Sequence, residues 1–416
     1  MEKTSKSKKR LKTAKELNKI VTEFYLEGHR AKEEGKPVGW LPVMIGTTEI
    51  FYAMDLQPVF PENWSPVCAA FGLTPTDFEV SEGMGYSQDL CGYLRNIVGY
   101  VYGLMGKDDV PLGGLPEPDI IFSGGGGCVP AMKILQAMEK RFPDAAHFIG
   151  GIPQVAPEKI QRHHIEYVKS VFTRLIDFLT EVTGRKFDME RLREAVRLSD
   201  RACELWDEIT SHRRFIPTPI SAAEIGIMFV MVTRQGTQIA VDYLEKVLEE
   251  VKERAAAKIG IIEDEKIRLF WDNIPLWYNM GLFNYVEKMG GVFVAETYSA
   301  AWSIRLDPKD PLEAIAIKSL MSYPLVSCTS TRKRKEMVLK ACRDFHIDGA
   351  VLHRNKSCVP ITLGQMDIKR ALMEELNIPS VIIDADHMDE RNFSVAQFQT
   401  RMDAFMETLL EKKGLS

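Results

Sequence analysis

The chain has no run of eighteen or more apolar residues, so no membrane-spanning helix is expected. It has no Cys-x-x-Cys pair either, and its seven cysteines (68, 91, 128, 203, 328, 342 and 358) are scattered and odd in number. In a chain of 416 residues that usage excludes a disulfide framework and fits a reducing cytoplasm. No basic stripe is interleaved with aromatics, and the net charge is −5, which argues against a nucleic-acid binder. The opening MEKTSKSKKRLKTAK is basic with no apolar stretch behind it; it is expected to be the frayed start of a helix, not a secretory signal. The run S-G-G-G-G-C ending at Cys128 is out of register for G-x-G-x-x-G and lacks a G-K-[ST] ending, so neither phosphate-binding fingerprint is met. Those glycines instead let the backbone approach whatever Cys128 holds.

What is present is ordinary in amount and informative in pattern. The composition, 45% hydrophobic and 27% charged, is that of a globular protein large enough for two or three domains. Apolar residues at helical spacing (Leu17, Ile20, Val21, Phe24) predict a first helix within residues 1–36. Val38–Ile45 then reads as a strand, followed by a helix that Thr47 or Thr48 would cap and by a strand-like exit at P-V-F-P-E-N-W. Gly83–Asn96 places Cys91 near a helix start with Ser87 as candidate cap, and P-D-I-I-F-S leads as a buried strand into Cys128. From about residue 157 to 260 the pattern changes to long amphipathic helices. The His163–His164 pair starts one of them, where adjacent residues point apart and a shared metal is not expected. Strand-and-helix alternation returns over 261–416. The reading is therefore an α/β protein with two α/β halves (37–156 and 261–416) and a helical insertion between them.

Three thiols share one local context. Cys91, Cys128 and Cys358 are each placed at or just past a strand-to-helix turn, and Cys128 and Cys358 carry the same tail, Cys-Val-Pro, in separate halves. In open α/β sheets ligands bind at the carboxyl ends of strands. If the halves face each other, three thiolates converge on one cleft. Structural zinc would want a fourth protein ligand. A cubane iron–sulfur cluster usually takes four cysteines, and three would leave one iron open to water or substrate. Cys203 and Cys342 fall among apolar helix neighbours and read as packing, the commoner use of a free thiol, whereas Cys328 in S-C-T-S-T-R is a candidate fourth ligand.

The stretches G-M-G-Y-S-Q-D-L-C-G-Y-L-R, the Cys128 turn and H-R-N-K-S-C-V-P-I-T-L-G-Q-M-D together resemble the 2-hydroxyacyl-CoA dehydratase/benzoyl-CoA reductase superfamily, cluster-bearing alpha-like subunit. P-V-G-W, P-E-N-W and the closing D-A-D-H-M-D-E-R-N-F-S-V-A-Q-F are similar too, so the likeness runs from about residue 36 to the end. It implies two doubly wound, flavodoxin-like or Rossmann-like domains with a helical insertion, and a [4Fe-4S] cluster held by Cys91, Cys128 and Cys358 with one open iron. It also implies a homologous second subunit in a heterodimer or heterotetramer, and a separate ATP-dependent iron–sulfur activator protein. The activity implied is a lyase: elimination of water from an (R)-2-hydroxyacyl-CoA through a one-electron ketyl radical, the open iron acting as Lewis acid. Reduction of an aryl-CoA such as benzoyl-CoA is the alternative in the same superfamily. One departure favours it: Leu41 follows Trp40 where dehydratases tend to place a hydroxyl, leaving Thr47 or Thr48 for that role. His353 and His387 are candidates for proton handling, against the plainer reading of satisfied structural histidines. Arg354 and Lys356 either hold a CoA phosphate or are solvated.

A rival of another class is a non-catalytic iron–sulfur electron carrier with four protein ligands. The two readings part at one residue. Cys328→Ala should leave the iron content of anaerobically prepared protein unchanged if three cysteines suffice, and should abolish it in the four-ligand carrier.

Overall fold

The computed structural model describes residues 11–43, 45–125, 128–299 and 302–415. Two four-stranded parallel sheets organise it. The first contains β1 (Val38–Trp40), β2 (Gln57–Val59), β3 (Ile120–Gly125) and β4 (Ala146–Gly151), in the order β2-β1-β3-β4. The second contains β5 (Ile267–Asp272), β6 (Gly291–Glu296), β7 (Gly349–Asn355) and β8 (Ser380–Ala385), in the order β6-β5-β7-β8. The two orders are the same, so each sheet has its topological switch point between its first and third strands. β5 and β6 are buried along their whole length, as a parallel sheet covered on both faces requires. The α/β reading of the sequence holds.

Between the sheets run three long helices, Arg162–Thr183, Met189–Ser211 and Gln238–Ala256. The first buries Val168, Val171, Phe172, Leu175 and Leu179, a stripe at three- and four-residue spacing that turns one face inward. Asp188 caps the second by accepting from Glu190 N at 2.9 Å, and Gly184, in the left-handed region, ends the first. None of the described helices is long and apolar enough to cross a membrane.

Four local expectations need correction. The strand expected over 38–45 pairs only from Val38 to Trp40, because Pro42 has no N–H to offer a ladder. The strand-like start of P-V-F-P-E-N-W belongs to β2, but P-E-N-W is not a turn: Pro61 opens the helix Pro61–Ala70, at a first position where its missing N–H costs nothing. Neither Thr47 nor Thr48 caps the helix Thr47–Ala53; the cap is Gly46, where a Cβ would lie 2.4 Å from Ile315 Cβ. Cys91 follows a helix (Thr74–Gly83) and a turn, not a strand, and is itself the N-cap residue of Gly92–Gly103 in place of Ser87.

A buried ion pair ties the helical segment to both α/β units. Lys318 Nζ lies 2.5 Å from Glu49 Oε1 and 2.5 Å from Gln235 Oε1, and Ser199 Oγ donates to the same carboxylate oxygen at 2.8 Å. Glu49 is wholly buried. Removing one member of such a pair strands the other charge, at a cost of about 3–5 kcal/mol. Lys318→Met should therefore lower the unfolding midpoint in a calorimetric scan, and Glu49→Gln combined with Lys318→Met should recover most of the loss.

Candidate functional site

The carboxyl ends of the two sheets face a single cavity of about 880 Å³ of empty space, open solvent at its mouth included. Cys91, Cys128 and Cys358 all line it, together with Cys328. Each of the first three is the N-cap residue of a helix: Gly92–Gly103, Val129–Ala137 and Val359–Leu363. Cys128 follows β3 and Cys358 follows β7, the third strand in each sheet order, so the repeated Cys-Val-Pro marks equivalent positions in the two domains. Gly126 and Gly127, within the glycine run, lie outside the described residues.

Burial pushes all three thiols above their ordinary range, and the neighbouring acids and thiols add to it: chiefly Cys128 for Cys91, Glu62 for Cys128, and Cys91 for Cys358. The backbone N–H groups of Leu94, Ala131 and Ile361, each three residues on, face the sulfurs and counter the rise without making full capping hydrogen bonds. Cys328 is less buried, and desolvation raises it to about 11.

The rest of the wall is mostly apolar, with Pro42, Val43, Ile45, Ile274 and Ile361 among it. Its polar groups are few. Trp277 Nε1 donates to Tyr93 Oη at 2.6 Å, and Tyr298 Oη stands 3.4 Å from the same atom. Ser327 contributes a buried hydroxyl with no hydrogen-bond partner. Glu62, from the first turn of Pro61–Ala70, lines the cavity as well, and desolvation raises its carboxyl to about 7. Of the lining groups, none of Tyr93, Tyr298, Ser327 and Glu62 stands out in the sequence. Glu62 had one available signal, its place in the P-E-N-W stretch, whose apparent turn character hid a helix N-terminus.

The other sequence candidates lie elsewhere. Leu41 is wholly buried in the core, and its amide donates to Val59 O at 2.9 Å. Thr47 is buried, its hydroxyl has no partner, and it does not line the cavity. His353 and His387 are also buried behind the cavity wall, not on it. His353 Nδ1 donates to Ile274 O at 2.7 Å and burial lowers its basicity. His387 contacts Asn355 through Nδ1 and its basicity is likewise lowered by burial, against the pull of Asp386. Arg354 is paired with Asp384, and Lys356 Nζ with Asn392 Oδ1 at 3.1 Å.

Among the described residues no three His, Cys, Asp or Glu side chains are close enough together to hold one metal ion. A cubane cluster does not ask that of them, since each cysteine binds a different iron. Three thiols from separate helix N-termini on one mostly apolar cavity are a donor set that fits such a cluster, with backbone N–H groups aimed to favour thiolates.

Fold and site together define a two-domain α/β protein that gathers thiols from both halves at one interdomain cleft. The comparison with known families is specific: residues 46–409 match the family described as 2-hydroxyglutaryl-CoA dehydratase, D-component, and the chain belongs to that family. It is 29% identical over 98% of both chains to the (R)-phenyllactyl-CoA dehydratase alpha subunit of Clostridium sporogenes. It is 26% identical to the (R)-2-hydroxyisocaproyl-CoA dehydratase alpha subunit of Clostridioides difficile, over 96% of this chain and 97% of that one. Over 80% of each chain it is also 26% identical to a subunit of the benzoyl-CoA reductase of Thauera aromatica.

Glu62 sets a pH dependence for the metal-free protein. Its folded-state value of about 7 lies above the ordinary 4.5, so the native state holds this proton after the unfolded chain has released it. The associated stability is full below pH 4.5 and is lost as pH rises to about 7. Glu62→Gln should flatten the denaturation midpoint across that window; a wild-type slope that survives the substitution would assign it to another group.

Proposed function

We propose that this chain is the cluster-bearing subunit of an (R)-2-hydroxyacyl-CoA dehydratase, a lyase removing water from its substrate by a one-electron route. It works with a related second subunit and an ATP-hydrolysing iron–sulfur activator. The observation that carries the proposal is the convergence of Cys91, Cys128 and Cys358 on one cavity in a chain that matches the dehydratase family over residues 46–409. The names of the alpha-subunit relatives support the multi-subunit reading.

A [4Fe-4S] cluster held by those three cysteines would supply single electrons and an open iron able to polarise a substrate oxygen. The chain's own residues do the rest. The apolar wall excludes water from the acyl group and strengthens each polar contact made inside it. Tyr93 and Tyr298, both held protonated by burial, present hydroxyl donors to a thioester carbonyl. Ser327 offers the hydroxyl that Leu41 does not. Glu62, poised near neutrality, is suited to take a proton from the acyl chain or give one to the departing hydroxyl.

The similarity to a benzoyl-CoA reductase chain keeps aryl-CoA reduction as the second reading. Anaerobically prepared protein should contain about four iron and four sulfide per chain. With the second subunit, activator and ATP it should convert an (R)-2-hydroxyacyl-CoA to the enoyl-CoA and leave benzoyl-CoA unchanged, followed by mass spectrometry of the thioesters. Ring reduction without dehydration selects the second reading, and iron-free protein defeats both.

A further inference from the structure

The two α/β domains meet along a buried seam beside Cys91 and Cys358. The helix Gly92–Gly103 belongs to the first half of the chain, yet its opening turn is held by the second. Gly92 N donates to Ser357 Oγ at 3.1 Å. Arg95 places both terminal nitrogens 3.2 Å from Asp389 Oδ2, with both residues buried. The Tyr93 ring meets that of His387 edge-on at 4.4 Å. Gly92 admits no side chain here, since a Cβ would lie 2.7 Å from Met388 Cβ and 3.0 Å from Asp386 Oδ1.

Ser357 is the link nearest the thiols, one residue before Cys358 and meeting the residue after Cys91. Close by, Asp386 Oδ1 accepts from Met388 N at 2.9 Å and Asp389 N at 3.0 Å, which fixes the chain that follows β8 against the same turn. The Ser357 hydroxyl oxygen has lone pairs to accept with, and one of them takes the Gly92 amide. That amide is in the first turn of a helix, where the helix supplies it no partner.

We propose that Ser357 is a positioning residue that sets the separation of Cys91 from Cys358 across the domain seam by accepting the Gly92 amide. Cys128, at the end of β3, takes its place from the first sheet. The proposal rests on the cluster reading only for what the spacing serves.

Cross-linking of the metal-free full-length protein tests it, so its result stands whether or not anaerobic protein takes up iron and sulfide. Dibromobimane and short bismaleimides of graded span bridge neighbouring thiols, and peptide mass spectrometry separates Cys91–Cys358 from Cys128–Cys358 products. In Ser357→Ala the ratio of the first product to the second should fall by about fivefold, as loss of one buried hydrogen bond allows, while the second product persists. Ser357→Thr, which keeps the hydroxyl, should restore the ratio. An unchanged ratio in Ser357→Ala, a ratio that threonine fails to restore, or loss of both products together in both variants overturns the proposal.

Discussion

Burying three thiols in one apolar cavity is the constraint on which the rest of this structure depends. Thiols in such surroundings resist ionisation, and those at 91, 128 and 358 are raised further by one another and by Glu62. The fold answers with the same device three times, a helix N-terminus placed directly after each sulfur. Its backbone N–H groups and partial positive charge favour the thiolate that a metal ligand must become. The device costs no charged side chain, so the wall stays apolar where an acyl chain would have to sit.

Placing those helix starts requires the two sheets to be fixed against each other, and the means are polar and buried. Lys318 of the second half pairs with Glu49 of the first, and Ser199 and Gln235 of the helical segment bond the same pair. Arg334 does comparable work in the second domain. It pairs with Asp272 at 2.6 Å at the end of β5 and donates to Ile361 O in the short helix that Cys358 begins. Buried ion pairs add little net stability, but each is intolerant of losing one partner, so they hold one arrangement against near alternatives. That suits a site assembled from distant parts of a chain.

Much of the fold was legible in the sequence because its signals are local. The C-terminal helix is Val395–Lys412 as the spacing of Phe398, Met402, Phe405 and Leu409 implies, and the three long middle helices announce themselves by amphipathic period. Where Pro or Gly decided an element's start, the reading slipped. Pro42 cut β1 short, Pro61 opened a helix where a turn was read, and the cap fell to Gly46, a position where Ile315, distant in sequence, leaves no room for a side chain.

For the site, the sequence by itself determined the ligand candidates. Cys-Val-Pro twice, and Cys-Gly at a helix start, are local patterns that mark N-cap thiols wherever the chain goes. Only the tertiary structure decided which groups share their cavity. It brought in Glu62, Tyr93, Tyr298 and Ser327, and it set His353, His387 and Thr47 behind the wall. The physical reason is that a sequence fixes which residues begin a helix through interactions a few positions long. The company a buried side chain keeps is set by the packing of elements hundreds of residues apart, as at Gly92 and Ser357.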